Sequence, residues 1–243
     1  MTNLNKDELQ EDLEYLLSLE EEEKEWARKS YPDYVQYVHQ GRWILSRHLL
    51  YVCHEIEEFV FTDTGHAYDI MIVQFPPQHG KSQSITETLP SFYLGKKPLN
   101  RVIEVSYNED FAQRFGRRNR EKIKDFGEDL FNITLSKEKN SNSDFELGNK
   151  VGGMISRGIM SGVTGNPARL MIIDDPIKNR EEADSQLIRD KQWEEWQNSL
   201  KTRLAAGAKV ILIMTRWLED DLAGRMIDNE KNVTVINLPC EAE

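Results

Sequence analysis

The sequence is poor in cysteine, with only Cys53 and Cys240 among 243 residues. Two are too few for a disulfide framework or a cysteine-rich metal site, so a reducing compartment is expected. No apolar run approaches the roughly 20 residues that a membrane helix requires. The opening MTNLNKDELQ has neither a basic start nor an apolar core, so it does not read as a secretion signal. Proline and glycine are sparse, 8 and 14, which excludes a low-complexity or collagen-like chain. Basic residues are outnumbered, 31 against 42 acids, for a formal net charge of −11. Taken whole, that sign argues against binding a polyanion.

The charge is unevenly placed. Residues 1–25 hold ten acids and two lysines, whereas the other 218 hold 29 basic and 32 acidic groups. The acidity is therefore mostly a property of one end. Residues 114–124 (RFGRRNREKIK) reverse it, with six basic groups and one acid. On a helix these form a positive face that either tracks DNA phosphates or is simply solvated. Within the acidic end, Leu9, Leu13, Leu16 and Leu17 share one helical face. That spacing predicts a helix docked on the domain through its leucines; the alternative is a mobile lid or a protein-docking arm.

The helical pattern continues to residue 66, with a second helix over 44–61 carrying Leu45, Leu49, Val52, Ile56 and Val60. Beyond Gly65 the chain alternates. Apolar runs at 70–75, 101–107, 170–173, 210–214 and 233–238 read as strands, and 145–147 with 154–156 as a hairpin. Helices are expected after the first strand's loop, through Ile123, over 181–205 and near 221–227. Strands alternating with helices predict a mainly parallel sheet covered on both faces, an α/β fold. The expected division is a helical segment 1–65 and an α/β core 66–243.

Residues 72–82 read IVQFPPQHGKS, a buried strand running into a loop that ends Gly80-Lys81-Ser82. A nucleotide phosphate needs backbone N–H groups converging at such a turn. Gly80 permits close approach, Lys81 reaches the β- and γ-phosphates, and Ser82 ligates Mg²⁺. Phe75 stands where the usual pattern has its first glycine. A second strand, LMII over 170–173, delivers Asp174, Asp175 and Pro176 at its C-terminal end, where α/β sheets bind ligands. Asp174 suits the Mg²⁺-linked acid and Asp175 the carboxylate that orients or deprotonates water. Thr215, at the tip of a third buried strand, suits a γ-phosphate sensor.

In order along the chain, FPPQHGKS (75–82), VSYN (105–108), GVTG (162–165), IIDDP (172–176) and TRW (215–217) together resemble the large terminase subunit of tailed bacteriophages. The likeness covers about 66–240. It implies a RecA-like, additional-strand P-loop NTPase with a small helical lid at its N-terminus. It implies an Mg²⁺-dependent ATPase that moves double-stranded DNA into a procapsid, working as a homo-oligomeric ring on the portal with a small terminase subunit, in the host cytoplasm and away from membranes. Pro77, Gln78, His79, Gly80, Lys81, Ser82 and Gln83 become the ATP-binding loop, Ser82 and Asp174 the metal ligands, Asp175 and Lys81 catalytic groups, and Thr215 the start of the coupling motif. Many relatives have Asp-Glu where this chain has Asp174-Asp175, which makes Glu181 or Glu182 fallbacks for the catalytic carboxylate. In the family a nuclease domain follows at about residue 240, so this chain is expected to be the ATPase part without nuclease activity.

Ring ATPases often use an arginine finger. Arg157 is the favoured candidate, with Arg101, Arg114, Arg117, Arg118 and Arg120 behind it. Tyr34, Gln36, Arg47 and His48 lie where the base is often held. Two other readings stay open: a different RecA-like motor such as a helicase, and a nucleotide-gated assembly module with little turnover.

Overall fold

A computed structural model describes residues 6–76, 78–163, 165 and 167–238. Pro77, Thr164 and Cys240, singled out above, lie outside the described residues. The chain opens with three helices, α1 (Lys6–Lys29), α2 (Tyr31–His39) and α3 (Arg47–Phe61). It then alternates through β1 (Tyr68–Gln74), α4 (Lys81–Ser84), α5 (Leu89–Lys96), β2 (Arg101–Ser106) and α6 (Glu109–Phe131). Three strands follow, β3 (Leu135–Asn140), β4 (Asp144–Leu147) and β5 (Gly153–Gly158). The remainder is β6 (Ala168–Asp174), α7 (Arg180–Asp184), α8 (Gln186–Glu195), β7 (Leu204–Ile213), α9 (Leu222–Asn229) and β8 (Val233–Asn237).

The eight strands form one sheet in the order β3-β4-β5-β2-β6-β7-β1-β8. From β5 to β8 every pairing is parallel, and β4 runs antiparallel to both β3 and β5. The expected hairpin is the β4–β5 pair, with Phe145 opposite Met154. The parallel strands are apolar on both faces because both are covered. Met71 and Val73 of β1 join a core with α2, α3 and α5, including Tyr31, Ile56 and Phe92. Ile70 and Ile72, pointing the other way, join Trp196, Leu200 and Met226. The period of two along each strand thus builds both cores at once.

Three local expectations need correction. The helix expected over 181–205 is broken. It leaves helical geometry at Ser185, resumes as α8, widens into a π turn at Trp196–Leu200 and tightens at Lys201–Arg203 before β7 begins. Trp196, Leu200 and Leu204 recur every four residues and imitate a continuing helix. Leu204 instead pairs with Ala168 at the start of a bulged strand. Strand β3 was not expected, because LSKEKN is polar: it lies at the sheet's edge, largely exposed. The leucines of α1 do not dock: Leu9, Leu13, Leu16 and Leu17 are 50–60% exposed. Among the described residues the helix is tied down near its C-terminal end, where Lys24 pairs with Asp129 and Arg28 donates to the Leu130 carbonyl.

Candidate functional site

Strands β6, β7 and β1 are neighbours and end level, with Ile213 of β7 beside both Asp174 and Val73. The loops leaving their C-terminal ends therefore share one crest of the sheet. After β1, Gln78 and Gly80 adopt positive φ, 64° and 82°. A Cβ on Gly80 would sit 3.1 Å from Leu49, so glycine suits both the turn and the packing. The helix expected next comes in two pieces. α4 is a single turn, and residues 85–88 are irregular before α5. Gly80 and Lys81 carbonyls accept from Ser84 and Ile85 N–H groups, which closes the turn. The first N–H groups of such a turn have no partner within it.

Lys81 is buried, and its Nζ lies 3.0 Å from Thr215 Oγ1 and 3.4 Å from Asp175 Oδ1. The Thr215 N–H also donates to Asp175 Oδ1 at 3.4 Å. Asp175 turns out of the strand with a positive φ of 40°, a conformation uncommon for a residue with a side chain. That twist separates the two acids. Asp174 continues β6 and points into the protein, fully buried, and Asp175 opens toward Lys81.

Asp174 accepts from Thr86 Oγ1 at 2.6 Å and Ser82 Oγ at 3.3 Å, and its carbonyl from Ser106 Oγ at 2.7 Å. Burial, then the charge of Asp175, pushes its carboxyl up to about 7, against the pull of Thr86 and Ser82. Behind it Glu104 of β2 is buried, and neither carboxyl oxygen has a hydrogen-bond partner among the described residues. Burial and the nearby Asp174 raise Glu104 well above the usual carboxylate range. Among the described residues no three acids, histidines or cysteines form a metal cluster. Ser82 and Asp174 nevertheless supply adjacent hard oxygens, which fit Mg²⁺, an ion that keeps waters and takes its remaining ligands from phosphate. Lys81, Ser82, Asp175 and Thr215 line a cleft of about 380 Å³ walled by Tyr107, Phe111, Ile177 and Trp217, with Asp174 buried beneath it. Gln78 and Gln83 also line it.

Residues 72–240 match the family model described as the N-terminal part of the T4likevirus-type terminase large subunit. The chain belongs to this terminase family. The same fold occurs in the crystal structure of the HK97 bacteriophage large terminase, with a TM-score of 0.54 at 12% identity. That match covers 83% of this chain but 41% of the HK97 chain, so the present sequence spans about two fifths of that protein. No curated protein matches in sequence.

Other expected residues of this terminase lie apart from the cleft. Arg157, near the end of β5, donates to the Ser143 and Ser156 carbonyls and lies 3.5 Å from Glu109. His48 abuts the loop from outside, with Nε2 3.3 Å from the His79 carbonyl. Tyr34 is buried and bonds Ser91, Gln36 lines a separate cleft on the helical side, and Arg47 is exposed. Glu182 accepts from the Lys178 N–H, while Glu181 is exposed. On α6, Arg114 stacks on Phe111, Arg117 and Arg118 face Glu121, and Arg120 donates to the Asn140 carbonyl. Arg101 of β2 pairs with Glu146, far from the crest.

Sequence reasoning missed Thr86, Ser106 and the aromatic walls. Thr86 has no motif to announce it, because its role arises only where the chain after α4 folds back on β6. Ser106, Tyr107 and Trp217 lie within the VSYN and TRW stretches, which follow apolar strands, but those stretches gave them no individual role. Among the described residues no helix is long and apolar enough to cross a membrane.

Proposed function

We propose that this terminase chain is an ATPase that hydrolyses ATP with Mg²⁺ and couples turnover to moving double-stranded DNA into a procapsid. One observation carries the reading: the ammonium of Lys81, the carboxylate of Asp175 and the hydroxyl of Thr215 meet within 3.4 Å at the ends of three adjacent strands, beside the Ser82–Asp174 pair. Gln78 to Ser82, with Pro77 and Gln83, would cradle the phosphates. Ser82 and Asp174 would hold Mg²⁺, which supplies charge neutralisation across the β- and γ-phosphates.

In the free chain Lys81 is neutralised by Asp175. On ATP binding Lys81 exchanges that carboxylate for phosphate oxygens. Asp175, released, holds the attacking water and accepts its proton. Thr215 loses Lys81 in the same exchange. Its loop continues into Arg216, whose guanidinium binds Asp221, the N-cap of α9. Phosphate occupancy at Lys81 is thus passed along one short segment to a helix. Arg157, already ion-paired outside its own cleft, would act as a finger only toward a neighbouring subunit in a ring on the portal. The basic face of α6 would contact the DNA backbone, and a small terminase subunit and the host cytoplasm complete the proposed setting.

The test is packaging in vitro with the protein in its full context, portal-bearing procapsids and double-stranded DNA. DNA should become nuclease-resistant only with ATP and Mg²⁺, and Lys81→Ala should fall to background. Protection that needs no ATP, or that survives Lys81→Ala, would contradict the reading.

A further inference from the structure

The geometry points to Lys178 as a second catalytic cation, acting in cis on the γ-phosphoryl group from the loop that follows Asp175. The inference rests on the ATPase reading above. The only cations among the described residues lining the phosphate cleft are Lys81 and Lys178. A triphosphate with one divalent ion is still anionic, and negative charge shifts toward the leaving oxygen as its bond to phosphorus breaks. One buried lysine at the loop leaves that far side of the site to be neutralised. Arg157 does not line this cleft, and Glu109 and two carbonyls already hold it. Arg114 is engaged with the ring of Phe111.

Lys178 combines a fixed base with a free side chain. Its backbone N–H donates to Glu182 Oε2 at 3.0 Å, and Asn179 caps α7 through the Glu182 N–H. Two residues earlier the Pro176 carbonyl accepts from buried Gln192 at 2.6 Å, and Ile177 is buried. The backbone from Asp175 to Glu182 is thus held at three points. The Lys178 side chain is exposed at the cleft and makes no ion pair among the described residues. An uncommitted ammonium three residues from the carboxylate that receives the water's proton has no evident structural duty.

The step balances without a further reactant. Water oxygen forms the new bond to the γ-phosphorus, one water proton passes to Asp175, and the bond to the bridging oxygen breaks. Lys178 neutralises the charge that accumulates on the phosphoryl oxygens and on departing ADP, with ADP and phosphate as products.

The experiment uses the full chain with Lys178→Met, which keeps the aliphatic stem, and Lys178→Arg. Steady-state ATP hydrolysis is measured with the binding of Mg²⁺–ATPγS and of Mg²⁺–ADP–aluminium fluoride, a mimic of the transferring phosphoryl group. Lys178→Met should lose about 10²-fold in kcat, the usual effect of removing one charge-stabilising donor. It should bind ATPγS within about threefold of wild type and the aluminium fluoride complex about 10²-fold more weakly, because the charge is needed only in the transition state. Lys178→Arg should keep most of both. Mixing Lys178→Met with Lys81→Ala chains should restore nothing if Lys178 acts on its own subunit. Wild-type turnover in Lys178→Met, equal weakening of both ligands, or recovery on mixing would each overturn the assignment while leaving the ATPase reading intact. A wild-type chain that neither binds nor hydrolyses ATP would overturn both.

Discussion

Asn119 joins the basic helix α6 to the segment between α4 and α5 beside Lys81, and replacing it by leucine tests whether that joint holds the site together. The side chain is fully buried. Its Oδ1 accepts from the Ser91 N–H at 3.0 Å, and its Nδ2 donates to the Thr86 carbonyl at 2.8 Å and the Phe115 carbonyl at 3.0 Å. Leucine keeps the branched shape but is bulkier, so any overpacking adds to the polar cost counted here. Phe115 keeps its helical partner four residues on. Ser91 lies in the first turn of α5, where its N–H has no partner within the helix, and the Thr86 carbonyl sits outside regular structure. Two buried groups are orphaned at about 1–3 kcal/mol each, for a loss of about 4 kcal/mol. In a chain of this length that lowers Tm by roughly 8–16 °C. Urea unfolding of wild type and Asn119→Leu measures it directly. A difference below about 1 kcal/mol would refute the count of orphaned groups. Because Thr86 also holds Asp174, Mg²⁺-dependent turnover should fall with stability.

Three further outcomes follow from burial and charge. Cys53 is fully buried and burial pushes its thiol up to about 12, so in a Cys240→Ser background Ellman's reagent should react only after unfolding; rapid reaction of the folded chain would contradict this. Burial first, then Lys122, Arg42 and Arg118, push His39 down to about 4 from an ordinary 6.5. The unfolded chain then binds a proton the folded one refuses, so His39 lowers stability as pH falls from 6.5 toward 4 and has no effect above. The drop in urea midpoint between pH 7 and pH 5 should shrink in His39→Gln, and an unchanged drop would exclude this role. Asp221 is buried and accepts from Arg216, Trp217 and Gly224, so Asp221→Ala should cost about 2–4 kcal/mol in urea unfolding; a loss below about 0.5 kcal/mol would show that the loop after β7 is not held there.

The parallel core was legible because each of its strands is an apolar run bounded by a loop or a polar residue, as at Leu170–Ile173 before Asp174. The crest was legible too: Lys81, Asp175 and Thr215 are 134 residues apart at the extremes, yet each follows a buried strand, and such strands align. What escaped had no local signal. The edge strand β3 is polar and largely exposed, and the end of the helix before β7 was hidden by Trp196, Leu200 and Leu204, which keep helical spacing into a strand. Thr86 and Asn119 are ordinary polar residues whose roles exist only once α5 and α6 are packed together. The exposed leucines of α1 follow the same rule: spacing told which face they share but not what lies against it.

The central claim is that Lys81 and Asp175 form an ATP-hydrolysing pair. It is tested most directly by phosphate release from Mg²⁺–ATP by wild type, Lys81→Ala and Asp175→Asn side by side, each confirmed folded by urea unfolding. The account predicts wild-type turnover that chelating Mg²⁺ abolishes, with both variants reduced by about 10²-fold or more. Turnover by folded Lys81→Ala at the wild-type rate would contradict it.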